Sequence, residues 1–177
     1  NYETQLSLLK IEYKTKDEAE VFRCIDREKA YQKFEDVLSE LEPKSAARWL
    51  RACFSEIAEL LQKGIYAGAL RWIEICAKYQ FAGRKASLET LLSICISSAS
   101  MRSSECFDAI LTYVADGDTS VYADKAKTFA DTAPKAKEFD AAKLYYGKIL
   151  SVNPDCVVAA QGKFFADIRC ANEKELP

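Results

Sequence analysis

The feature that most constrains this chain is a recurrence. A small residue is followed, four and seven positions later, by apolar ones at Ala30, Phe34 and Val37, at Ala69, Ile73 and Cys76, and at Ala142, Tyr146 and Ile149. A looser copy starts at Ala109 and Tyr113 and fails at Asp116. Residues four and seven apart share one face of an α-helix. The leading alanines are 39, 40 and 33 residues apart, a period typical of stacked helical hairpins. One hairpin cannot bury its own apolar stripe, so neighbours must stack. The sequence therefore predicts an all-α chain, an antiparallel helix-hairpin solenoid of about eight or nine helices.

The rest of the chain agrees. Only 6 Gly and 4 Pro interrupt 177 residues, and no stretch clearly alternates with period two. The first 15 residues are open between a short helix and an extended lead-in. A helical turn or two then carries Ala19, Phe22 and Ile25, and a second stripe from Asp26 runs through Phe34 and Leu38 to stop at Pro43. Ser45 is the expected N-cap of a long helix with Trp49, Cys53, Ile57 and Leu60 or Leu61 inside, and Gly64 is its stop. Further helices are expected in "IYAGALRWIEICAKY", "ASLETLLSICISS", "ECFDAILTYVADG", "TSVYADKAKTFADTA" and "KEFDAAKLYYGKILSV", with a last one from Cys156 to about Ala171. The serine-rich joint "SSASMRSS" reads as a surface turn. This gives one helical-repeat domain over 1–177, with units 1–43, 44–82, 83–117 and 118–154 and a capping helix over 155–172. The chain begins at Asn and its only Met is Met101, so it reads as part of a larger protein.

The stretch Ala123–Cys156 resembles a tetratricopeptide repeat. That pattern of about 34 residues wants small residues where its helices meet, aromatic residues beside them and a closing proline. Ala130 and Ala142, Phe139 and Tyr146, and Pro154 stand at those places, with Phe129 and Ile149 between. The other units are degenerate, and "ASLETLLSIC" with "SSECFDAILTYV" is more similar to a pentatricopeptide repeat. The resemblance implies a right-handed superhelix whose concave groove is lined by the first helix of each pair. Some tetratricopeptide domains grip a terminal carboxylate with a Lys and an Asn. Lys127 and Asp131 stand at those positions, so the lysine alone is kept and that clamp is not expected.

Enzymatic chemistry finds few of its usual groups. The chain has no His, hence no Ser-His-Asp or Cys-His activation and no His-based zinc site, and its glycines form no phosphate loop. Glu56 and Glu59 are read as a solvated carboxylate pair. Cys24, Cys53, Cys76, Cys95, Cys106, Cys156 and Cys170 form no knuckle and no disulfide framework, and read as small core residues in a reducing compartment, cytoplasmic or nuclear. Cys170, beside Arg169, is the one thiol singled out for reactivity. No apolar run reaches the ~20 residues that span a bilayer. The reading is a chain that is not an enzyme and takes no cofactor, metal or membrane.

What remains is binding. The leading expectation is a protein-interaction scaffold that takes a peptide segment or partner domain on its concave helical face. Candidate contacts are Arg48, Arg51, Ser55, Lys85, Glu89, Lys127 and Asp131, with Asp124 beside them. The rival is single-stranded RNA along a strip of Arg48, Arg51, Arg84, Lys85 and Lys127, against a net charge of −2. A third reading is self-association or packing within a parent chain, with Phe165 of the Phe164–Phe165 pair as the candidate contact.

Overall fold

A computed structural model describes residues 1–175. Among them the protein is all-helical, without strands, and forms ten α-helices rather than eight or nine. They are α1 (Tyr2–Glu12), α2 (Glu18–Glu28), α3 (Tyr31–Glu40), α4 (Pro43–Gln62), α5 (Tyr66–Cys76), α6 (Arg84–Ser97), α7 (Ser104–Ala115), α8 (Thr119–Thr132), α9 (Phe139–Val152) and α10 (Val157–Asp167). Short 3-10 turns follow at Ala133–Ala136 and Glu173–Glu175. The chain divides into two compact units, Asn1–Ser87 and Leu88 onward, and the division falls within α6.

In the first unit the opening residues are helical. Asn1 caps α1 by accepting the Glu3 N–H, and Tyr2, Leu6 and Leu9 are buried at helical spacing. Asp17 caps α2 in the same way through the Ala19 N–H at 2.9 Å. The break expected near Ile25 falls instead at Lys29 and Ala30. Lys29 adopts φ +54° and the Ala30 N–H returns to the Ile25 carbonyl, a left-handed helix stop. Ala30 is therefore the N-cap of α3 and not a packing residue inside it. Pro43 starts α4 instead of ending α3, because its fixed φ and missing N–H suit a first helical turn. Ser45 consequently lies inside that turn, and Glu42 takes the cap position.

The core of this unit is a knot of large rings. Phe34 stacks on Trp49 with centroids 5.5 Å apart, Phe22 lies 4.7 Å from Trp49, and Trp72 meets Phe22 and Phe34 edge-on at 5.9 and 5.3 Å. Four helices thus contribute one ring each. Cys53, Ile57 and Leu61 continue the α4 stripe, and Ala69, Ile73 and Cys76 that of α5. Gly64, at φ +70°, makes the turn between them.

The second unit packs more closely. α9 packs against both α8 and α10. Ala126, Ala130, Ala141 and Ala142 are fully buried where α8 and α9 meet, which allows close backbone approach. A Cβ built at Gly162 of α10 would sit 2.3 Å from Cζ of Tyr146, so α10 lies flat against that ring. Phe107, Phe129 and Tyr145 form the aromatic core, with centroids 4.4 to 5.2 Å apart. Two expectations fail here. The buried face of α7 is Cys106, Phe107, Ile110 and Leu111, while Ala109 and Tyr113 are half-buried. The last helix stops at Asp167, short of Ala171, with Arg169 at φ +57°.

The serine joint is more than a surface turn. Ser103 is fully buried, donates to the Ser98 carbonyl at 3.0 Å and accepts the Ser100 N–H at 3.1 Å. Its polar atoms are paired internally, which is what allows burial. Among the described residues no helix is long and apolar enough to cross a membrane.

Candidate functional site

The strongest concentration of unusual chemistry lies in the first unit, between α2 and α4. A groove of about 340 Å³ is lined by Asp17, Glu18, Ala19 and Phe22 on one side and Ala52, Ser55, Glu56 and Glu59 on the other. Glu56 is not the solvated carboxylate that its sequence suggests. It is 4% exposed. Arg23 holds it by donating Nε to Oε1 at 3.1 Å, and spreads its remaining N–H groups to Glu59 Oε1 at 3.0 Å and Glu20 Oε2 at 3.5 Å. Oε2 of Glu56 is buried with no hydrogen-bond partner among the described residues.

The electrostatics follow from that geometry. Burial raises the Glu56 carboxyl above its ordinary value, and the Arg23 guanidinium pulls the other way without cancelling it. Glu59, one turn along, is lowered by its bonds to Lys63 and Arg23. Two neighbouring carboxylates are therefore pushed apart by environment. Asp17 is engaged as the α2 cap, and Glu18 accepts from Tyr2 Oη, so the groove wall is tied down from both sides.

The candidate contacts are scattered rather than gathered. Ser55 is exposed and lines the acidic groove. Arg51 lines a different depression with Pro43, Ala47, Phe81 and Ala82, and donates to the Ala82 carbonyl at 3.2 Å. Arg48 is paired with Glu3 and lies over the Tyr2 ring at 4.2 Å. Arg84 donates twice to the Ala77 carbonyl, at 3.0 and 2.7 Å, and so stabilises the end of α5. Lys85 and Glu89 are exposed one turn apart on α6. Lys127 and Asp131 pair with each other at 2.5 Å on α8, and Asp131 also accepts from Tyr146 Oη at 2.6 Å. These two side chains are thus already occupied within the second unit.

Other chemistry is structural. In the second unit Tyr145 donates to Asp108 and the Ser104 carbonyl, both at 3.0 Å, and Lys148 closes on Asp108 at 2.5 Å. Burial pushes the Tyr145 hydroxyl far up, so it stays a donor. Cys170 is buried against the Glu175 carbonyl at 3.4 Å, and the neighbouring Arg169 faces Asp140 at 3.7 Å. Of the aromatic pair, Phe164 is 56% exposed and Phe165 is half-buried, so the outward ring is the former. Among the described residues no cluster of His, Cys, Asp and Glu is arranged to hold a metal.

Compared with known protein families, characterised proteins and solved structures, the chain shows no significant match to any.

Proposed function

We propose that the protein is a non-catalytic interaction scaffold whose α2–α4 groove receives a peptide segment bearing a cationic side chain. The observation that carries this reading is the carboxylate lining of the groove, with a buried Glu56 oxygen that has no partner among the described residues. A buried polar atom without a partner is costly, about 1–3 kcal/mol. Asp17, Glu18, Glu56 and Glu59 against Arg23 and Lys63 leave the walls acidic, which complements lysine or arginine. The tetratricopeptide-like spacing of Ala130, Ala142 and Tyr146 supports the same class of function, since such helical arrays serve mainly as binding surfaces.

A peptide array tests it. Lys- and Arg-containing peptides are expected to bind with affinity that falls as salt rises, their Glu counterparts to fail, and Ser55→Lys to abolish binding while the fold is kept. Equal retention of acidic and basic peptides contradicts the reading.

The RNA alternative draws less support, because Arg48, Arg51, Arg84 and Lys127 are each committed to a carboxylate or a carbonyl. Self-association has one observation in its favour. Val157 and Phe164 of α10 and its C-cap residue Ile168 are exposed at spacings of seven and four. Light scattering over a concentration series reads it: Phe164→Ser is expected to lower any self-association, and Phe165→Ser to leave it.

A further inference from the structure

Seven thiols read from the sequence as ordinary core residues, and two of them are placed against each other. Cys53 of α4 and Cys76 of α5 have their sulfurs 3.0 Å apart, and each is fully buried. They are separated by 23 residues and sit on the facing sides of consecutive helices. Each thiol is the other's polar contact. A disulfide needs sulfurs about 2.05 Å apart, so closing this gap takes about 1 Å of side-chain or helix movement.

We propose that Cys53 and Cys76 form a modification site, at which a peroxide or a small-molecule disulfide writes a reversible covalent link between α4 and α5. With a peroxide the first sulfur attacks one peroxide oxygen. The O–O bond breaks, a sulfenic acid forms, and the other oxygen leaves as water or alcohol after taking a proton. The second sulfur then attacks the sulfenic sulfur, its S–O bond breaks, and a water leaves. Two thiols have lost two electrons and the peroxide has gained them. With a small disulfide the same two electrons release two small thiols through a mixed-disulfide step.

Burial governs the rate. Neither thiol meets solvent in the closed state, and burial beside Cys76 pushes the Cys53 thiol well up, so attack waits for α5 to open from α4. Reclosure then brings the partner sulfur to the sulfenic acid before a second oxidant molecule arrives. The link closes the loop that carries Gly64 and restrains the unfolded chain, which raises the melting temperature. The half-exposed Cys156 provides an internal comparison, since it reaches solvent without any helix having to open.

The test uses the whole chain. It is treated with hydrogen peroxide or oxidised glutathione under native conditions, quenched with an alkylating agent and digested with trypsin. The expected product joins the peptide 52–63, "ACFSEIAELLQK", to 72–78, "WIEICAK", with loss of two hydrogen masses. It exceeds every other cysteine pairing, returns to free thiols with dithiothreitol, and accompanies a rise in melting temperature of several degrees. Cys53→Ser and Cys76→Ser each abolish the joined peptide and the rise. Separately alkylated Cys53 and Cys76 after oxidation of the folded protein overturn the proposal. So does oxidation of either to a sulfinic acid, or a dominant cross-link elsewhere. The mapping on the unaltered protein decides even if a serine variant fails to fold.

Discussion

The two compact units solve the same burial problem with different residues. The first brings Phe22, Phe34, Trp49 and Trp72 together from four helices and lets large rings fill the space between them. The second uses alanines on α8 and α9 and a glycine on α10, so that helices approach closely around Phe107, Phe129 and Tyr145. Polar groups follow the same division. In the second unit the Tyr145 hydroxyl and Asp108 satisfy each other, whereas in the first Glu56 is buried with one oxygen left over. Full satisfaction marks a core that only has to hold together. The first unit also leaves Tyr13 Oη and Trp49 Nε1 without a partner among the described residues, and of the three only Glu56 Oε2 belongs to a residue lining the α2–α4 groove proposed to bind.

Substitutions sharpen this contrast, starting with the largest effect. Trp49→Ala removes the ring that Phe22 and Phe34 both touch, and is expected to cost about 3–5 kcal/mol in a denaturant melt, through the cavity left behind. Ala142→Phe probes the opposite packing style. Overpacking the fully buried α8–α9 contact is expected to cost about 1–3 kcal/mol, and unchanged stability argues against a close approach there. Tyr145→Phe strips Asp108 and the Ser104 carbonyl of a donor and is expected to cost about 1–2 kcal/mol, measured the same way.

Glu56→Gln gives a pH signature specific to the first unit. The folded-state carboxyl is raised above its reference of 4.5, so the folded protein holds that proton more tightly than the unfolded chain. Its stabilising contribution is complete below the unfolded value and is lost as pH rises through the folded one. Wild type is therefore expected to lose stability relative to Glu56→Gln on going from acid towards neutral pH. Glu35, lowered by Lys78 and Tyr79, has the opposite sign and is common to both proteins, so it cancels in the difference. The smallest effect is at Lys29, held at φ +54°, where Lys29→Gly is expected to gain about 0.5–1 kcal/mol by relieving a left-handed backbone.

Helix content and most apolar stripes were legible in the sequence, because period and turn residues are local. Trp49, Cys53, Ile57 and Leu61 are buried as their spacing implies. The position of Ala30 was not, since nothing nearby announces that Lys29 will turn left-handed. Glu56 was misjudged because its partner Arg23 lies 33 residues away. A signal existed, as Glu56 falls seven residues after Trp49 on the buried face of α4. The outward ring of the aromatic pair was misjudged, since the sequence reading chose Phe165 and the exposed ring is Phe164. Ala159, Gly162 and Ala166 form the small-residue face of α10, and Gly162 rests on Tyr146, which leaves Phe164 turned away. The scattered candidate cations have different causes. Arg48 and Arg51 meet the Glu3 carboxylate and the Ala82 carbonyl, 45 and 31 residues away, which only the folded chain brings near, whereas Lys127 pairs with Asp131 one helical turn along.

The binding surface proposed above is the acidic α2–α4 groove. Titrating isotope-labelled protein with a lysine-containing peptide, and following backbone amide shifts, tests it most directly. The account predicts saturable changes clustered at Ala19, Ala52, Ser55 and Glu59, suppressed by salt and absent in Ser55→Lys. Changes centred instead on Arg51 and Ala82, on the exposed face of α10, or nowhere at saturating peptide contradict it.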